Sequence, residues 1–489
     1  MRKLNSVLKL LLIIMAVVWS GCSYPLNPHL SSISPSAGYR YNVVRPLPAY
    51  DKPFVLLAFS GGGTRAAAFS FGLMEELRQV EYTAKDGSKR RLLDDVEIIS
   101  SVSGGSFTSA YYALFPDGFF NDFPNKFLYR DIQGGLFWRL WNPYNWFRLA
   151  SPDFSRIDMA DEYYNSTIFE NKTFTDLLAK PKGSVPFLVL NATDISITHR
   201  FEFTQDQFDL LCSDLSGVTL SRAVAASSNF PVAFAPLTLD NYKKNCGPLP
   251  EWIENALVKE KNPTRRYAEA VAAKSYRDPD RRFAHLLDGG LSDNLGLRGP
   301  FQAVTTTDSP WSILQYANLQ SLGRLMVIAA NAKTTKKRSW DEKSPPPGIG
   351  AVLDVALNGP MDDVSADSVE MMDGHFKYMK QLSRSVDSCN RLLAKCPDAP
   401  LIDNPITTDF TFSELTFDNI PDPRLRRCLQ ELPTSFSLPE KTVDLLRIAA
   451  GYLLMNSNEF VAGMKRLDPG WKPRDAVIDK ALIDTVCGP

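Results

Sequence analysis

Phe54-Val55-Leu56-Leu57-Ala58-Phe59-Ser60-Gly61-Gly62-Gly63-Thr64-Arg65 joins an apolar run of strand type to a glycine turn. Ala66, Phe69, Leu73 and Leu77 then recur at helical spacing. Strand, turn and helix are the implied order. Glycines let the backbone turn sharply and bring N–H groups close to a ligand, and a helix start favours negative charge. That chemistry suits an oxyanion. A nucleotide-phosphate loop is glycine-rich too, but the Gly-Lys-Ser/Thr ending is absent. Taken alone, the stretch also reads as a tight strand-to-helix connection.

Two further elements stand outward from it. Val96-Glu97-Ile98-Ile99-Ser100 reads as a strand, Phe107 to Phe115 as a helix, and Ser101-Val102-Ser103-Gly104-Gly105-Ser106 as the turn between them. In a nucleophile elbow, small residues surround a strained serine whose hydroxyl is exposed above the sheet. Ser103 fits that position, with Gly105 at the second glycine site and Ser101 where the first glycine stands. Ser101 and Ser106 are the competing nucleophiles. The third element, Asp288-Gly289-Gly290, follows the apolar segment Phe283-Ala284-His285-Leu286-Leu287 and runs into Leu291-Ser292-Asp293-Asn294. By itself it reads as an Asx-type turn.

In this order the three elements resemble the patatin-like phospholipase family, whose members carry a glycine-rich oxyanion motif, a Gly-x-Ser-x-Gly-type elbow and an Asp-Gly-Gly/Ala motif. Asn191-Ala192-Thr193-Asp194 after Phe187-Leu188-Val189-Leu190, and Ala223-Val224-Ala225-Ala226-Ser227-Ser228-Asn229-Phe230-Pro231, look like core segments of that family. The resemblance runs from roughly Pro53 to Ala332. It implies an α/β fold, a mainly parallel sheet with helices on both faces, and a Ser103–Asp288 dyad. It also implies an oxyanion hole at Gly61, Gly62 and Gly63, with Gly105, Gly289, Gly290 and Asn294 in support. Arg65 either steadies the cradle, meets a lipid phosphate, or is a surface or helix-capping cation.

The chain holds four histidines, His29, His199, His285 and His375. His285 stands three residues before Asp288 on a strand, so its side chain points to the opposite face. His29 falls in the N-terminal linker, His375 lies outside the matched core, and His199 stays open as a triad partner. An aspartate with an ordinary pKa near ~4 is a weak base, so the dyad requires burial to raise it.

Arg2 and Lys3 precede an apolar run from Leu10 to Trp19, followed by Ser20-Gly21-Cys22. The run is short for a spanning helix and suits a signal peptide. Its end resembles a bacterial lipobox with Cys22 as the lipidated residue, although Trp19 stands where an aliphatic residue is usual. Ordinary cleavage would leave Cys22 a plain thiol. Ser23 after the cysteine favours, by the same resemblance, an outer-membrane lipoprotein facing the periplasm or cell surface.

The 489 residues are 44% hydrophobic and 22% charged, as in a large globular protein. Deleting residues 1–21 removes Arg2, Lys3 and Lys9 and takes the formal net charge from -1 to -4. Nucleic-acid binding is not indicated, and membrane contact must come from lipid or apolar surface. No zinc-type Cys/His spacing or EF-hand loop occurs, so no metal and no cofactor is expected. Besides Cys22 there are six cysteines, and nearest-neighbour pairing gives Cys212–Cys246, Cys389–Cys396 and Cys428–Cys487. Buried free thiols are the alternative.

Along the chain we expect a signal peptide (1–21), a lipidated flexible tether (22–50), a catalytic domain (51–335) and a mostly helical C-terminal extension (336–489) packed on or beside it. Phe410 to Leu415 is a further strand candidate. Within the domain, residues 116–180 form an insertion rich in aromatics from Phe137 to Phe147. It reads as a lid or lipid-contacting surface, or as an aromatic subcore, which the usual burial of such clusters favours. The function expected is a membrane-anchored lipid acyl hydrolase of phospholipase A or lysophospholipase type, acting on membrane phospholipid or another acyl ester. A carboxylesterase or thioesterase for smaller acyl groups, and an inactive lipid-binding scaffold, are the rivals.

Overall fold

The computed structural model describes residues 27–46, 51–231, 233–243, 246–259, 264–306, 322–335, 339–342, 344, 348–396, 399–404 and 406–488. The proposed signal peptide and Cys22 lie outside these residues.

One eight-stranded sheet organises the chain. Its strands are β1 (Pro53–Phe59), β2 (Val96–Val102), β3 (Phe187–Asp194), β4 (His199–Glu202), β5 (Leu237–Asp240), β6 (Phe283–Asp288), β7 (Arg324–Asn331) and β8 (Asp409–Thr416), in the order β8-β7-β1-β2-β3-β6-β5, with β4 on β3. β8, β7, β1, β2 and β3 are parallel, whereas β6 runs antiparallel to β3 and β5 antiparallel to β6. The sheet is mainly parallel with helices on both faces, as expected. Every residue of β1 is buried, which explains why it reads as an unbroken apolar run rather than an alternating one.

The helices that bear on the site are α1 (Gly63–Leu77), α2 (Gly104–Leu114), α3 (Ile132–Trp141), α4 (Pro143–Leu149), α5 (Leu220–Ser227), α6 (Gly290–Asp293), α7 (Ile349–Leu393), α8 (Pro423–Gln430), α9 (Glu440–Met455), α10 (Asn458–Leu467) and α11 (Lys480–Cys487). α1 follows β1 and α2 follows β2, each through one of the glycine turns. The two turns therefore meet at the carboxyl ends of adjacent parallel strands, where open α/β sheets place their sites.

Three expectations need correction, and one is filled in. The tether does not extend over 27–46: Tyr39 and Tyr41 are buried, Arg40 pairs with Asp206 and Asp209, and Asn27 bonds Ser213 and the Asp240 carbonyl. Buried aromatic area and paired charge hold this segment down. The C-terminal extension packs on the domain and the strand candidate at Phe410 to Leu415 forms, with β8 continuing the sheet on β7 and α9 lying along α1. Cys212–Cys246 and Cys428–Cys487 are bridged, but Cys389 and Cys396 are free and exposed. Cys389 lies in α7 and Cys396 just beyond its end at Leu393. Finally, Phe137, Trp138, Trp141, Tyr144, Trp146 and Phe147 are exposed, so the cluster is not a subcore.

Candidate active site

Ser103 stands between β2 and α2 with φ 51° and ψ −119°. A non-glycine residue adopts that backbone only when its surroundings impose it. They do so here: the Ser103 N–H donates to Ser227 Oγ at 2.9 Å, and the Ser227 hydroxyl donates to the Asn191 carbonyl at 2.6 Å. Gly104 is required by close approach, since a Cβ there would overlap the Gly63 carbonyl. Ser101 and Ser106 are fully buried and bonded within a serine cluster that includes Ser109 and Ser227. Of the three candidate serines, Ser103 lines the cavity.

Asp288 ends β6 and is buried. Its carboxylate accepts from the Gly290 N–H at 2.8 Å and shares the cavity with the Ser103 hydroxyl, which favours its charged form. Burial pushes its pKa up to about 6, against the opposing pull of those two groups. The end of α5 holds this turn as well: the Asp288 N–H donates to the Asn229 carbonyl at 2.9 Å and the Gly289 N–H to the Ser227 carbonyl at 3.2 Å. One short segment thus fixes both Ser103 and Asp288. The core segment quoted from the sequence contained Ser227, but nothing local marked it as a positioning residue.

The glycine cradle is narrower than expected. The Gly61 N–H donates to the Asn294 carbonyl at 3.0 Å, so it is not an open donor. The Thr64 N–H is likewise spent on the Ser435 carbonyl at 2.8 Å. Among the described residues, the amides of Gly62 and Gly63 make no hydrogen bond, and Gly62 lines the cavity. Gly62 has φ 137°, a backbone reserved in practice for glycine. Asn294 supports the cradle through its carbonyl and lines the cavity too. Gly105 packs against Phe59, Gly289 against the Asn191 carbonyl and Gly290 beneath Met361.

Arg65 is buried, which removes the surface-cation reading. Its guanidinium donates to the carbonyls of Ala332 at 2.9 Å and Leu432 at 2.8 Å, and more weakly to Thr434. Burial lowers its pKa to about 10, with the Asp362 carboxylate acting in the opposite direction. It steadies the cradle by tying the start of α1 to the end of β7 and to the loop before α9. The cavity, about 300 Å³, takes its remaining wall from Phe230, Lys333, Trp340, Met361 and Asp362. Several of these lie in the C-terminal region, where the sequence offered no motif.

Among the described residues no histidine lines this cavity. His199 belongs to a separate pocket beside Arg200 and Glu269, and burial, then the Arg200 charge, lowers its pKa to about 4. His285 bonds Thr238 Oγ1 at 3.0 Å on the far side of β6, His29 packs on Tyr242 and His375 on Phe301.

The family model described as patatin-like phospholipase matches residues 57–300. No curated protein matches by sequence. Among solved structures, human GIVD cytosolic phospholipase A2 bound to methyl gamma-linolenyl fluorophosphonate is similar at 11% identity and TM-score 0.37, over 85% of this chain and 60% of that one. A second human GIVD cytosolic phospholipase A2 structure gives 12% identity and TM-score 0.35, over 59% of this chain and 47% of that one. VipD from Legionella pneumophila gives 13% and 0.28, over 86% and 70%. The chain thus spans 47% of the length of one of the human structures it matches.

Proposed function

The chain carries a patatin-like phospholipase domain at residues 57–300, and on that premise we propose that it hydrolyses acyl esters of membrane lipids, as a phospholipase A or lysophospholipase, through Ser103 and Asp288. The observation that carries this reading is a serine with a strained backbone, Ser103, sharing one cavity with the buried Asp288 carboxylate, whose pKa is raised to about 6.

Asp288 takes the Ser103 proton as Oγ attacks the ester carbonyl. The oxyanion of the tetrahedral intermediate lies against the Gly62 and Gly63 amides, which make no hydrogen bond among the described residues and can donate to it. Collapse expels the alcohol or lysolipid, which receives its proton from Asp288. Water then attacks the acyl-enzyme, Asp288 again accepts the proton, and Ser103 recovers it as the fatty acid leaves. A pKa near 6 keeps the carboxylate ionised at neutral pH yet basic enough to share a proton.

We further propose attachment to a bacterial membrane through an acylated Cys22. Among the described residues no helix is long and apolar enough to cross a membrane. The test of function is mass-spectrometric profiling of products from mixed phospholipids, with fluorophosphonate labelling in parallel. We expect free fatty acid and lysolipid from the native protein, one labelled serine, and neither from Ser103→Ala. Labelling without phospholipid products, but with turnover of short esters or thioesters, would move the reading to an esterase. Absence of labelling would leave a scaffold.

A further inference from the structure

α3 and α4 form a tight helical hairpin joined at Asn142, whose side chain accepts from the Tyr144 N–H at 3.0 Å. Its inward side is small, with Ile132, Leu136 and Asn145 buried. Its outward side carries six large rings, and Trp138, Trp141 and Phe147 are 78%, 72% and 75% exposed. Such a patch is unusual on a soluble surface and marks a contact site.

The exposure is built into the fold. Asn145 Nδ2 donates to the Arg139 carbonyl at 2.8 Å, Trp146 Nε1 to the Leu140 carbonyl at 2.6 Å, and Arg148 pairs with Glu162 while lying over the Phe154 ring at 3.7 Å. Trp146 has thus spent its one donor inside the hairpin. Residues 132–149 contain two arginines and no carboxylate. Exposed tryptophan and tyrosine suit the headgroup region of a bilayer, and the absence of carboxylates from 132–149 removes a repulsion from anionic lipid.

Two placements favour a bilayer over a protein partner. Pro152, Asp153 and Ser155, just after α4, share a cavity wall with Thr238 and Asp240, and Asp240 is bonded to Asn27. Five residues separate Cys22 from Asn27 in the sequence, and a chain of that length spans at most roughly 18 Å when fully extended. The hairpin also reaches the cradle: the Gln133 N–H donates to the Phe436 carbonyl at 3.3 Å, and the neighbouring Ser435 carbonyl accepts from Thr64.

We propose that the 137–147 hairpin docks on the surface of a phospholipid bilayer containing anionic lipid, and that this contact brings packed lipid to the Ser103 cavity. Substrate delivery rests on the acyl hydrolase reading; docking does not. The test compares full-length Cys22→Ala protein, which has no acyl anchor, with the same protein carrying Trp138→Ser, Trp141→Ser and Phe147→Ser. Both are mixed with vesicles of phosphatidylcholine and phosphatidylglycerol. The parent should co-sediment and show tryptophan quenching by brominated lipid. The triple variant should lose about tenfold or more in vesicle affinity and in turnover of vesicle phospholipid, while p-nitrophenyl butyrate hydrolysis stays within about twofold. Equal vesicle binding by the two proteins overturns the proposal. So does a parent that forms a dimer disrupted by the substitutions and shows no vesicle binding, since that gives the face to a second copy. Loss of butyrate turnover in both proteins would sink the hydrolase reading and leave vesicle binding to decide the docking.

Discussion

Ser227 holds Ser103 and the Asp288 turn at once: its Oγ accepts the Ser103 N–H at 2.9 Å and its carbonyl accepts the Gly289 N–H at 3.2 Å. Ser227→Ala keeps the carbonyl contact and removes the one that stabilises the elbow. We expect a fall in kcat of about tenfold or more with little change in KM, because a misplaced nucleophile loses orientation rather than substrate affinity. Slower fluorophosphonate labelling at unchanged Tm would show positioning. A lower Tm with normal labelling would show that the hydroxyl serves only the core.

The raised pKa of Asp288 has consequences for stability. Folded Asp288 holds its proton up to about pH 6, against an ordinary 3.8. Between those values the native state binds more protons than the unfolded chain, so stability falls as pH rises through the window. Above it the cost is about 3 kcal/mol, at ~1.4 kcal/mol per pKa unit. Asp288→Asn should therefore unfold at a higher temperature than the native protein at pH 8, with the difference shrinking toward pH 4. Native kcat/KM should rise with pH to a plateau above about pH 6. A Tm difference independent of pH would mean that the carboxylate is not held protonated by the fold.

Gly62 has the backbone least open to a side chain among the three cradle glycines. An alanine there meets Arg65 Nη2 at 2.8 Å in a backbone with φ 137°. Gly62→Ala should reduce turnover by about 10²-fold, the scale of losing one oxyanion donor, while Ser103 remains present for slow labelling. Turnover within twofold of native would place the oxyanion elsewhere.

The two disulfides close loops of 34 and 59 residues. Loop entropy assigns about 4 kcal/mol to each. Cys428→Ser with Cys487→Ser should lower Tm by several degrees, since the bridge ties α8 to α11. Cys389→Ser with Cys396→Ser should leave Tm unchanged and remove two thiols that react with Ellman's reagent in the native protein.

The local features of the site are legible in the amino-acid sequence itself. Strand-turn-helix order around Gly62 and Ser103, and Asp288 at a strand end, are encoded in neighbouring residues, so periodicity and turn chemistry reveal them. What the sequence hides is partnership across distance. Ser435 meets Thr64, and Leu432 meets Arg65, across more than three hundred residues, with no local signal at either end. Counting glycines likewise placed Gly61 among the donors, because its capture by the Asn294 carbonyl is a tertiary contact. The aromatic run from Phe137 has the same composition whether it faces the core or solvent. Only the small inward face of Ile132, Leu136 and Asn145 decides that.

The central claim is that Ser103 and Asp288 form one proton-transfer unit, and a double-mutant cycle tests it most directly. Ser103→Ala, Asp288→Asn and the double variant are compared by initial rates of phospholipid and p-nitrophenyl ester hydrolysis, with circular dichroism to establish folding. Each single change should lower kcat/KM by about 10³-fold, and the double variant should be little worse than either, because a broken unit cannot be broken twice. Near-native activity in folded Ser103→Ala, or losses that multiply in the double variant, would contradict the account.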